Sequence, residues 1–280
     1  MKRDLLRHTI PLLTTLLLAS SCSPVKLQMA IPDRFKEQAE KLPVVGIGNG
    51  SNKKPLSFGR YKTSAIKRGW NVSSGRYDRN TKVTLEDRLL KAFNIDRASI
   101  TKTQKSKFQF SIVDGNHVAD VYAMERKVSE ETTVHANNKW QWLGEFNIPQ
   151  KYQYSFSAVI LPQTIAKPDV WNLYLYSNYE KKAKTKLFEM PDIEGGGMLI
   201  GGNDTIVIRT IKVQKFETDK GKEAEAPFAI PSAYEMRIDD GVCAIIDTWG
   251  KILWLYQGLD EQTKLVIASA ASAILLGRLG

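Results

Sequence analysis

The last stretch of the chain constrains the fold most. From Leu265 to Leu276 the only polar residues are Ser269 and Ser272, so a helix built from this run has no face to offer to water. Gly258-Leu259-Asp260 precedes it, with Asp260 placed as N-cap and Glu261 in the first turn; the expected helix covers residues 260–277. Its apolar part is about 18 Å long at 1.5 Å per residue. That is shorter than the run of about 20 residues that crosses a bilayer. The helix therefore demands burial inside the fold on every side. A sheet curled around it meets the demand, and a helix laid on one open sheet face is the competing arrangement.

The middle of the chain supplies strands. Lys107 to Ile112 alternates apolar and polar residues, Asp114-Gly115-Asn116 makes a turn, and His117 to Met124 returns. Tyr154 to Ala158 and Trp171 to Tyr176 alternate again. Glycines 195–197 and 201–202 bracket Met198-Leu199-Ile200. Thr205 to Phe216 reads as a long strand whose apolar phase shifts between Ile208 and Ile211, which implies a bulge. Tyr234 to Ile238, the turn Asp239-Asp240-Gly241 and Val242 to Asp247 form a further hairpin, and Ile252 to Tyr256 follows. The fold class is therefore mainly β (α+β): an antiparallel barrel or sandwich of at least eight strands with a buried apolar C-terminal helix. Two helices are expected earlier, a short one from Asp33 with an Asp cap, and an ordinary packing helix over 84–93 with Thr84 and Asp87 as a capping box.

Paired strands, then Leu259-Asp260, then the apolar helix: this order over Tyr234 to Leu276 is similar to the tubby-like and scramblase-like architecture, a many-stranded antiparallel barrel with a C-terminal helix threaded through it. The resemblance spans about a sixth of the chain. It implies a helix-filled barrel. Tubby-like domains often bind phosphoinositides or other lipids, so by analogy of fold it also implies lipid contact.

The N-terminus carries an address. Met1 to Arg7 is a positive segment and Thr9 to Leu18 is an apolar one of about ten residues, too short to span a membrane. Leu18-Ala19-Ser20-Ser21-Cys22 follows and resembles the lipobox of bacterial lipoproteins, with Ala19 standing where Leu is commonest. The resemblance implies cleavage before Cys22 and acylation of its thiol. Two or more acyl chains anchor a protein stably where one does so marginally. The expected layout is a signal peptide over 1–21, the lipidated cysteine and a tether over 22–32, and a single exported domain over 33–280. Ser23, where enterobacterial-type sorting reads Asp as an inner-membrane signal, implies the outer membrane. A tether of ten residues reaches at most about 35 Å, which keeps the domain near the bilayer.

Candidate chemistry is sparse. Gly46-x-Gly48-x-Gly50 lacks the G-K-[ST] of a phosphate loop and reads as a turn. His117 and His135 have no partner at metal-ligand spacing. Asp239 and Asp240 sit on a turn, where Asp is favoured for backbone reasons. There is no G-x-S-x-G. Cys243 lies in the apolar run Val242–Ile246 and reads as a small buried hydrophobe. The aromatics Trp140 and Trp142, and Trp171, Tyr174, Tyr176 and Tyr179, read first as sheet packing, with Lys181, Lys182, Lys184 and Lys186 as a basic loop after them. No catalytic residue, metal ligand or cofactor site is assigned.

Apolar residues make up 42% of the chain and its formal charge is +10, which suits a globular protein with anionic partners. The functional expectation is a membrane-anchored lipoprotein of the bacterial envelope acting as a binding or structural module, in contact with anionic lipid, an envelope polymer or a protein, and not with nucleic acid. An envelope hydrolase with a site assembled only in the fold is the alternative.

Overall fold

A computed structural model describes residues 27–29, 31–48, 54–78, 95–136, 145–163, 169–180, 194–202, 204–218 and 223–279. Cys22, the helix expected over 84–93, Trp140, Trp142 and the four lysines of 181–186 lie outside these residues, as does the side chain of His135. In chain order the elements are β1 Leu27–Met29, α1 Asp33–Lys36, β2 Ala39–Pro43, β3 Ser57–Phe58, β4 Tyr61–Thr63, β5 Lys67–Arg68, β6 Val72–Asp78, β7 Ile95–Val113 and β8 Val118–Ala136. They continue as β9 Glu145–Gln163, β10 Trp171–Glu180, β11 Glu194–Gly201, β12 Asp204–Thr218, β13 Glu223–Ile238, β14 Gly241–Asp247, β15 Ile252–Tyr256 and α2 Glu261–Leu279.

Twelve strands form an antiparallel path, β2-β15-β14-β13-β12-β11-β10-β9-β8-β7-β4-β3. The two ends nearly meet: Val45, just past β2, bridges to Ser57 in β3. Gly46 makes this possible with φ +102, at a place where an added Cβ would strike the carbonyl of Pro55. The result is a nearly closed barrel. Each of its twelve strands places a residue in one apolar cluster with α2: Leu42, Phe58, Tyr61, Phe108, Ala119, Phe156, Leu173, Leu199, Ile206, Met236, Ala244 and Leu253. Every residue of α2 from Leu265 to Gly277 is buried. The choice between a curled sheet and an open one is thus settled in favour of the barrel.

The composition of α2 fits its place. Alanines keep the cylinder narrow, and its two serines satisfy themselves: Ser269 donates to the carbonyl of Leu265 at 2.7 Å and Ser272 to that of Ala268 at 2.8 Å. Asp260 caps the first turn by accepting the N–H of Thr263 at 2.9 Å. Glu261 pairs with Arg60 and Lys264 at the same end. The helix runs to Leu279, past the expected end at 277.

The barrel has unlike rims. The lower one carries the turns at Asp114–His117 and Asp239–Asp240 and the start of α2. At the upper rim β7, β8 and β9, each of 19 residues, run on past the end of α2, and β6 pairs along β7. A strand of that length is about 60 Å long. β12 and β13 also extend upward, and β1 pairs there, with Leu27 opposite Thr218. From β1 the chain descends outside the barrel. Met29, Ile31 and Phe35 cover Ala233, Ile245, Ile252 and Trp254 in a second apolar cluster.

Two local expectations are corrected. Pro32, not an aspartate, is the N-cap of α1, and no side chain caps it, because the preset φ of proline starts the turn one residue early. The register shifts of β12 fall at Ile211/Lys212 and Val213/Lys215, beyond the expected bulge. Ile208 faces the barrel interior, whereas Ile211 packs in the outer cluster; the change of apolar phase records a strand covered on both faces.

Candidate functional site

Barrel strands bury alternate residues, so the others form an outer wall whose neighbours are set by register. On β7 to β12 one outer row runs Lys107, Met124, Ser157, Tyr174, Met198, Val207, each residue directly opposite the next. The adjacent row is Gln109, Tyr122, Val159, Asn172. Tyr176 stands beside Tyr174 on the same face. Met124, Tyr174 and Tyr176 are 59%, 50% and 60% exposed, so this is an apolar surface in water. Against β5 the wall becomes a concavity of about 580 Å³, lined by Lys67, Arg68, Lys107, Tyr122, Met124 and Tyr174. Exposed Arg126 and Arg209 flank the rows.

The aromatic group 171–179 is divided by this geometry. Trp171 and Tyr179 are buried, as sheet packing requires, and Tyr174 and Tyr176 are the exposed pair. His117 is half exposed, and its Nδ1 lies 3.1 Å from Asp114 Oδ2 in the hairpin turn. Asp114 accepts the N–H groups of Asn116 and His117, at 3.0 and 2.8 Å; burial opposes its charge, but these bonds outweigh it and hold its pKa below the ordinary value. Asp239 and Asp240 are exposed on a tight turn, with Asp239 at φ 52. Cys243 is buried and donates to the carbonyl of Met236 at 3.3 Å, and burial pushes its thiol pKa up to about 12. These groups are scattered over the lower rim and wall and do not converge. Among the described residues no group of three or more His, Cys, Asp or Glu side chains could hold a metal ion.

Arg68 and Arg278 were not singled out by sequence reasoning. Both lie at the C-terminal end of α2, where Arg68 Nη2 donates to the carbonyl of Leu276 at 3.3 Å. A charged residue directly after thirteen buried helical positions was the available signal. No described helix is long and apolar enough to cross a membrane. No family model matches the chain, and neither does any curated protein or solved structure among those compared.

Proposed function

We propose that the chain is a lipid-anchored lipoprotein of the bacterial cell envelope and that its barrel is a binding module, docking an acidic protein partner on the β7–β11 wall. The observation that carries this reading is the exposed row Met124, Tyr174, Met198 beside Tyr122 and Tyr176, with Lys67, Lys107, Arg126 and Arg209 around it. Aromatic, Met and Arg side chains mark the centres of protein interfaces, and basic rims select acidic partners. The barrel interior is already filled by α2, which favours a surface role. A many-stranded antiparallel barrel with a helix in its interior is also what the likeness to tubby-like and scramblase-like barrels implies, and that likeness belongs to the same proposal.

The anchor gives the wall a direction. Cys22 is five residues from Leu27, at most about 18 Å of chain. Leu27 pairs at the upper rim, so an acylated Cys22 sets that rim against the bilayer, and Ser23 directs the protein to the outer membrane. The wall then faces sideways, toward a neighbour and away from the anchoring lipid.

A photo-crosslinking amino acid at Tyr174 in intact cells tests the docking, with the same group at Asp240 on the lower rim as control. The expected result is a protein adduct of discrete mass from position 174 alone, abolished by Lys107→Glu with Met124→Asp. Equal adducts from both positions, or lipid adducts only, would overturn it. The anchor is tested separately by labelled palmitate, which should appear on wild-type protein and be missing from Cys22→Ser.

A further inference from the structure

The concavity on the outer wall has an end. From Thr63 to Lys67 the edge chain takes four steps where β7 takes three, Ile112 to Gln109, and it does so again from Arg68 to Val72, opposite Phe108 to Lys105. An extra residue on each side bulges the chain. Between the bulges β5 is pinned, paired at Lys67 and Arg68 and held by the N–H of Gly69, which donates to the carbonyl of Lys107 at 2.9 Å. Lys67, Arg68 and Gly69 therefore close the concavity on one side, over a floor of Tyr122, Met124 and Tyr174. On the other side the floor runs on from Tyr174 to exposed Met198.

Two cations stand at the closed end. Lys67 and Lys107 are exposed, and among the described residues neither meets a carboxylate. Asp120, one row beyond Tyr122, is already taken by Ser111 and Gln163. Gly69 places the second charge. A Cβ on it would lie 2.6 Å from both Cγ and Cε of Lys107, so the lysine stem crosses the glycine and brings its ammonium to the end wall. Gln109, Ser157 and Asn172 add polar groups along the floor, suited to a peptide backbone. The volume, about 580 Å³, falls in the range of about 300–1,000 Å³ that small ligands occupy.

We propose that the concavity captures the C-terminus of the acidic partner, with the last, apolar side chain on Tyr122, Met124 and Tyr174 and the α-carboxylate between Lys67 and Lys107. A C-terminal residue carries an apolar side chain and a negative charge together, as the floor and the end wall require. An internal segment has to climb over β5 to continue. This inference rests on the reading of the wall as a protein-docking surface and names the group that docks.

Fluorescence anisotropy of the full chain with labelled peptides tests it. The probes are Asp-Gly-Ser-Gly-Phe and its counterparts ending in Leu and Val, each as free acid, as C-terminal amide and extended by Ser-Gly. At least one free acid should bind saturably, with its amide and its extended form weaker by about tenfold or more. Lys67→Gln and Lys107→Gln should each shrink the ratio of acid to amide affinity, and Lys107→Arg should keep most of it. Gly69→Ala should shrink it as well although it removes no charge, which general attraction to a basic wall does not explain. Matching melting temperatures check that the variants are folded. Acid, amide and extended peptides bound alike, a ratio that survives both Lys→Gln changes, or no binding at millimolar peptide would each defeat terminal capture. The Tyr174 adduct then judges the wall by itself: an adduct with terminus-blind peptides means a partner docked through an internal segment, and no adduct means that the wall docks no protein.

Discussion

The carboxylate of Asp247 accepts the backbone N–H of Met29 at 2.8 Å and so joins residues 218 positions apart. Its other oxygen accepts the N–H groups of Trp249 and Gly250, each at 2.9 Å. One buried side chain thus shapes the β14–β15 turn and pins the descending N-terminal segment to the barrel. Burial outweighs the three donors and raises its pKa. Asp247→Ala leaves buried amides without an acceptor and should cost about 1–3 kcal/mol in urea unfolding. Hydrogen exchange at Met29 and Ile31 should accelerate while that of Leu253 stays slow. Unchanged exchange at Met29 would show that the apolar contacts of Ile31 and Phe35 hold the segment unaided.

Gly277 is fixed by Phe156 across the barrel. An added Cβ at position 277 would lie 2.8 Å from Cε2 of that ring and 3.3 Å from Tyr154 Oη. In a free helix Gly→Ala gains about 1 kcal/mol, yet overpacking a filled interior costs about 1–3 kcal/mol. Gly277→Ala is therefore expected to destabilise, and Phe156→Leu in the same chain should recover part of the loss. A melting temperature above wild type for the single variant would mean that the helix end has room. Ile274→Asp, with no exposed surface at that position, should leave no folded protein.

The central helix was legible because its signal is local: Leu265 to Leu276 is apolar at every phase, and no open surface can accept that. The strands were legible from their alternation, down to the turns at Asp114 and Asp239. Closure was not. It rests on two-residue strands such as β3 and on Val45 meeting Ser57, which carry no periodic pattern. The exposed row was hidden for another reason. Tyr174 meets Met198 and Met124 only through the register of three strand pairs, and one residue of slip would send each to the opposite face. Period two alone could still have separated Tyr174 and Tyr176 from Trp171 and Tyr179. Arg278 was missed because Tyr154, Ser177 and Tyr234 come from strands far from it in sequence, each of which reads as ordinary sheet.

Asp114 makes the lower rim sensitive to acid. Its folded pKa is depressed by the N–H groups of His117 and Asn116 and by the His117 ring, against the opposing effect of burial. A depressed carboxylate contributes stability that is fully present above its unfolded value of about 3.9 and disappears as pH falls through the folded value. The stability gap between wild type and Asp114→Ala should thus be constant at neutral pH and narrow below about pH 4. Urea midpoints measured across that range check it. A gap that stays constant to the lowest pH would mean that the turn is held by backbone geometry alone.

The two cysteines turn the anchor and the fold into one countable observation. Cys243 is 3% exposed, and its thiol, pushed up to about 12, forms almost no thiolate at neutral pH. A thiol reagent should therefore leave it unmodified in the native protein and label it at the rate of global unfolding once urea is added. An acylated Cys22 has its sulfur in a thioether and contributes nothing. The envelope form should then release one reactive thiol on unfolding, whereas Cys22→Ser should also release one and a non-acylated wild-type chain two. Rapid labelling of native Cys22→Ser would contradict the buried position of Cys243, and two thiols in the wild-type envelope form would contradict the anchor; neither result can be mistaken for the other.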